Sequence, residues 1–168
     1  SWDAAGKTNL EQTIWFRSRN ALNTAYIFDT YNATSHEGTS LNGTTVNTYI
    51  PPMQAFWVRV SEGHTSGRFT VDNSMRSHGS GSNPLKVPAI HQQQVLRLQV
   101  SNGTNTDETL LLFNPNASNL QDNFDSQKMS NSNNSLPEIY TLVNNNELVI
   151  NGLNSIEFDK EYPLGFRT

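Results

Sequence analysis

Residues 94–100 read Gln94-Val95-Leu96-Arg97-Leu98-Gln99-Val100, the cleanest alternation in the chain. Side chains alternate across a strand, so Leu96, Leu98 and Val100 share one face while Val95, Arg97 and Gln99 share the other. The pattern predicts a half-buried β-strand with the leucine face inward. The same accounting works outward along the chain. In 12–17, Ile14 and Phe16 oppose Thr13, Trp15 and Arg17. In 53–60, Phe56, Val58 and Val60 oppose Met53, Ala55, Trp57 and Arg59. Leu110, Leu111, Leu112 and Phe113 are apolar on both faces, which fits a central strand covered on both sides. Further strands are expected near 24–31, 46–50, 67–72, 108–114, 138–143, 147–151, 155–159 and 163–168. No window carries a sustained helical stripe, and a short helical turn is expected near 118–128 at most. The expectation is an all-β antiparallel sandwich, jelly-roll-like, with little helix.

Composition agrees with a folded polar domain. Of 168 residues, 35% are hydrophobic and 15% charged, and Asn, Ser, Thr and Gln supply 63. The net charge of −4 argues against a nucleic-acid binder, which needs a basic face to neutralise phosphates. No apolar run approaches the roughly 18 residues that cross a bilayer, so no membrane insertion is expected. The chain has no cysteine, which removes disulfides, thiolate metal sites and cysteine nucleophiles. Residues 77–84, Ser-His-Gly-Ser-Gly-Ser-Asn-Pro, have the composition of a linker. They suggest a β-rich half over 1–76, a linker over 77–89 and a second β-rich half over 90–168. The Ser-Trp-Asp opening and the strand-like end suggest a piece of a longer protein.

The best binding lead is aromatic. Trp15 and Trp57 each sit beside an arginine on the reverse face of a strand. With Tyr31 or Tyr49 nearby they can form a stacking platform for sugar rings, with Asp29 or an arginine bonding hydroxyls. Interior packing is the competing reading of the same aromatics. His36, His64, His78 and His91 all fall in expected loops without ligand spacing, and neither a metal nor a cofactor is expected. Asp107 with Glu108 and Asp122 with Asp125 are candidates for paired-carboxylate chemistry, and the second cluster also for calcium. Asp122 to Asp125 lacks the ligand spacing of an EF-hand loop, however, and turn capping is the simpler reading. No nucleophile elbow, phosphate loop or His-Glu-x-x-His occurs, and no catalytic residue is expected.

Several strings resemble a region found in large secreted proteins of Bacteroidetes. They are Tyr49-Ile50-Pro51-Pro52-Met53-Gln54-Ala55-Phe56-Trp57-Val58; Asn73-Ser74-Met75-Arg76-Ser77-His78; Leu96-Arg97-Leu98; Asp107-Glu108-Thr109 leading to Phe113; Phe124-Asp125-Ser126-Gln127-Lys128-Met129; and Tyr162-Pro163-Leu164-Gly165-Phe166. In such proteins the region precedes a C-terminal sorting domain for type IX secretion. The resemblance implies an extracellular or cell-surface β-module whose partners are other domains of the same polypeptide, and implies no activity. A spacer, stalk or adhesion role follows, with a carbohydrate-binding module as the alternative. Physically, Pro51-Pro52 marks a strand break, and Asp125 with Lys128 suggests an i, i+3 pair.

Overall fold

A computed structural model describes residues 1–40, 45–76, 93–131, 133 and 135–167. Twelve strands are described: β1 (Gly6–Thr8), β2 (Thr13–Arg19), β3 (Tyr26–Asn32), β4 (Glu37–Thr39), β5 (Phe56–Trp57), β6 (Arg68–Thr70), β7 (Gln94–Ser101), β8 (Thr106–Phe113), β9 (Ser126–Gln127), β10 (Glu138–Val143), β11 (Asn146–Leu153) and β12 (Leu164–Arg167). A 3-10 turn at Asn73–Met75 is the helical element among the described residues. The first sheet runs β4-β3-β2-β5 and the second runs β12-β10-β11-β8-β7, with β9 also on β11; β1 and β6 form a separate ribbon. The all-β, sandwich-like expectation holds, with one departure from an antiparallel design. Strands β8 and β11 run parallel, because β9 and β10 lie on the connection between them and carry the chain back.

The abundance of asparagine is explained at the corners. Asn144 and Asn145 both have positive φ, 50° and 67°, as a tight two-residue hairpin between β10 and β11 requires. Asn102 accepts the N–H groups of Thr104 (3.1 Å) and Asn105 (2.8 Å) between β7 and β8. Asn20 does the same for Thr24 (2.8 Å) and Ala25 (2.9 Å) between β2 and β3. A short amide side chain mimics a backbone turn in this way.

Each half has its own apolar cluster. Trp2, Ile14, Phe16 and Tyr31 are buried together on one face of the first sheet, beneath Val46, Ile50, Phe56, Val58 and Phe69. Leu110, Leu112, Val149 and Ile150 form the second cluster, with Val95 and Phe124 against it. A third, of Ala25, Ile27 and Leu136, joins the halves. The two halves are therefore in contact, although the expected linker at 77–89 lies outside the described residues. No described helix is long and apolar enough to cross a membrane.

Some sequence expectations are corrected. Residues 46–50 and 155–159 form no strand, 53–60 pairs at Phe56–Trp57 and by a single bridge from Val60 to Leu10, and 118–125 folds as turns and bends leading into β9 rather than as a helical turn. On β7 the expected sense holds in part: Leu98 and Val100 are half-buried and Arg97 and Gln99 are exposed, but Val95 and Leu96 depart from it. Val95 packs on the second cluster, and Arg97 reaches Glu37 and Glu108, whereas Leu96 is 49% exposed. The register accounts for Val95, which opposes Leu112 and so reaches the second cluster, while β8 is buried on both faces.

Candidate functional site

The four aromatics of the expected platform do not come together. Trp15 and Trp57 oppose one another across β2 and β5, on one face as the alternation requires. Trp15 is nevertheless 1% exposed, because β9 lies over it and the Gln127 carbonyl accepts its indole N–H at 3.0 Å. Tyr31 is 4% exposed on the opposite face, where its hydroxyl donates to Asp3 at 3.1 Å. Burial, and then the Asp3 charge, push its phenol above the ordinary tyrosine range. Tyr49 and Trp57 are exposed, and Trp57 stands edge-on to Phe28 at 5.4 Å. Neither Trp15 nor Tyr31 can stack on a ligand in this fold, which leaves Trp57 with other neighbours on its face, of which sequence reading named Arg17 alone.

Those neighbours are Arg17, Arg19, Tyr26 and Phe28. The β2–β3 register sets Arg17 opposite Phe28 and Arg19 opposite Tyr26, on the face that carries Trp15. The Arg17 guanidinium lies 4.4 Å from the Phe28 ring centre and 5.1 Å from that of Tyr26. Arg19 lies 3.8 Å from Tyr26 and donates to its hydroxyl at 2.9 Å. The sheet face is thus divided: Thr13, Trp15, Thr30 and Asn32 are covered, while Arg17 and Arg19 with their partners Phe28 and Tyr26 meet solvent. The signal for this set was present in Arg17-x-Arg19 and Tyr26-x-Phe28, but pairing them needs the strand register.

The covered part of that face is held by polar bonds. Asn32, fully buried, donates to the carbonyls of Asn123 (3.1 Å) and Asp125 (3.0 Å). Thr13 and Ser126 share a hydroxyl bond of 2.8 Å. Arg97 ties Glu37 of the first sheet to Glu108 of the second, each at 2.6 Å. Arg59 donates to the Gln127 side chain.

The acidic candidates are also engaged in the architecture. Asp122 accepts the N–H groups of Phe124 (2.7 Å) and Ser118 (2.6 Å). Asp125 accepts those of Asp122 (2.7 Å) and Gly152 (2.8 Å). These four bonds use all four carboxylate oxygens, and they account for the turns at 115–125. The expected pairing of Asp125 with Lys128 does not form. Lys128 instead meets Asp107 in a buried ion pair, whose Asp107 carboxylate also accepts the Ile139 N–H at 2.7 Å. Antiparallel pairing of β9 with β11 turns Lys128 away from Asp125, because successive side chains leave opposite faces. Glu108 holds Arg97 and Gln99.

His36 stands 3.5 Å from Asp3 and His64 lies in an exposed loop; His78 and His91 lie outside the described residues. Among the described residues no three His, Asp or Glu side chains group as metal ligands. An open groove of about 360 Å³ is lined by Leu96, Leu111, Phe113, Ile156, Phe158 and Tyr162, and none of the buried acids reaches it.

Burial raises the Asp125 carboxyl to about 7. Folding thus favours its protonated form. That contribution is complete below the unfolded value near 4 and is lost as pH rises through about 7. The expected outcome is that the urea midpoint falls between pH 5 and 7.5, and that Asp125→Asn flattens this slope. An equally steep slope in the variant would contradict the assignment.

No curated protein and no solved structure gives a significant match to this chain. A family model matches residues 2–168, nearly the whole length. The chain therefore belongs to the family described as a domain of unknown function, DUF8693.

Proposed function

We propose that the chain is a non-catalytic extracellular module of a larger secreted or cell-surface protein, acting as a spacer, stalk or adhesion element beside other domains. One observation carries this reading: the residues of the strings that resemble secreted Bacteroidetes proteins do architectural work. Gln54 donates to the carbonyls of Arg17 and Ala55, both at 2.8 Å, while Phe56 and Val58 fill the first core. Asp72 caps the 3-10 turn that contains Met75. Asp125 and Lys128 hold the 122–128 segment to β11 and to Asp107. Gly165 gives the Tyr140 ring room to lie across β12, where any Cβ would collide with it. Sequence strings spent on caps, bridges and close approaches specify a shape. Inserting the chain between a surface anchor and a reporter enzyme is the direct test. Access of a macromolecular substrate to the reporter should rise above that of a direct fusion, and no rise, or turnover of polysaccharide by the chain itself, would contradict the reading.

Carbohydrate binding is a second reading, supported by the 42% exposure of Trp57 beside the open aromatic face.

A further inference from the structure

Arg17 is the unusual member of that open face. Among the described residues its guanidinium makes no hydrogen bond and no ion pair; its contacts are the rings of Phe28 and Tyr26. By contrast, Arg59, Arg97 and Arg167 each hold a side-chain oxygen. A guanidinium has five donors in a planar fork that matches a carboxylate, and it stacks readily on aromatic rings. Two flanking rings restrict the side chain of Arg17, so ordering it against a ligand costs less than ordering a free arginine. Its flanks are also amphipathic: Tyr26 is 49% exposed and Trp57 is 42% exposed.

We propose that Arg17, Tyr26, Phe28 and Trp57 form a binding site for an acidic sugar, a uronate residue of a polysaccharide. The Arg17 fork takes the carboxylate, and the exposed rings take the apolar face of the pyranose. This inference rests on the carbohydrate reading and narrows it to one ligand class. Charge supports the choice. The chain carries a net −4, so a polyanion gains little from the protein as a whole and needs a local cationic group. Arg17 supplies one, and Arg19, on the same face and stacked on Tyr26, adds to the local field. A neutral sugar would use the rings and leave the fork unmatched.

The test is a titration of the whole chain with polygalacturonate and with an uncharged β-glucan, at low and at moderate salt. The site predicts binding of polygalacturonate that weakens with salt. Arg17→Gln should reduce it about ten- to a hundredfold, the range for a lost charge-assisted bond. Arg17→Lys, which keeps the charge but not the fork, should fall between, and Trp57→Ala should weaken binding of the same ligand. Arg68→Gln, an exposed arginine of the β1–β6 ribbon, should leave binding unchanged. Circular dichroism and the urea midpoint check that the variants fold. Binding of the β-glucan that is lost in Trp57→Ala but not in Arg17→Gln would overturn the acidic-sugar site and leave the carbohydrate reading standing. Binding of neither polymer would overturn both.

Discussion

Replacing Lys128 by methionine should destabilise the protein by about 3–5 kcal/mol, the range for removing one partner of a buried ion pair. Methionine keeps most of the apolar stem, so the loss isolates the ammonium. Lys128 and Asp107 have side chains 4% and 1% exposed. Without Lys128, Asp107 stays buried with the Ile139 N–H and loses its counter-charge. Burial already pushes its carboxyl up, and the nearby ammonium works against that. A second variant separates the charge from the packing. Asp107→Asn combined with Lys128→Met keeps an acceptor for Ile139 and removes both charges, so it should recover a large part of the loss. Urea denaturation measures both. A cost below about 1 kcal/mol for Lys128→Met would place the pair with weak surface bridges and contradict its burial.

Trp15→Ala should cost a similar amount, about 3–5 kcal/mol, as for other buried aromatic truncations. The indole fills the space under β9, and its N–H satisfies the Gln127 carbonyl, so truncation leaves both a cavity and an unpaired acceptor. Trp57→Ala is the matched control. It lies opposite Trp15 in the same sheet but is 42% exposed, so its truncation should cost much less. Equal losses at the two positions would mean that the second sheet does not cover Trp15.

The contrast between these two tryptophans shows how far the sequence could be read. Period-2 alternation put Trp15 and Trp57 on one face, and they are on one face. It could not say that β9, a two-residue strand of Ser126–Gln127 with no hydrophobic pattern, would cover one and leave the other in solvent. The same limit explains β7. Alternation separated Leu96 from Val95, but that Val95 packs on the second cluster while Leu96 stays exposed depends on the register with β8. The caps on the turns were legible as Asn-rich clusters because their chemistry is local. The partner of Lys128 was not, since Asp107 is 21 residues away and meets it only through the pairing of sheets. The cation–aromatic face was half legible. Each strand shows its own alternating pair, whereas their opposition is set by a turn that Asn20 closes.

The two halves meet across a buried polar interface and should unfold as one unit. All three tryptophans, Trp2, Trp15 and Trp57, belong to the first half, and Trp15 is also covered by β9, so their fluorescence reports that half together with its cover. Amide exchange at Leu110 and Ile150, in the centre of the second sheet, reports the other. The measurement is equilibrium unfolding in urea followed by both probes on the whole chain. One coincident transition is the predicted result. Two transitions with separate midpoints would contradict the account.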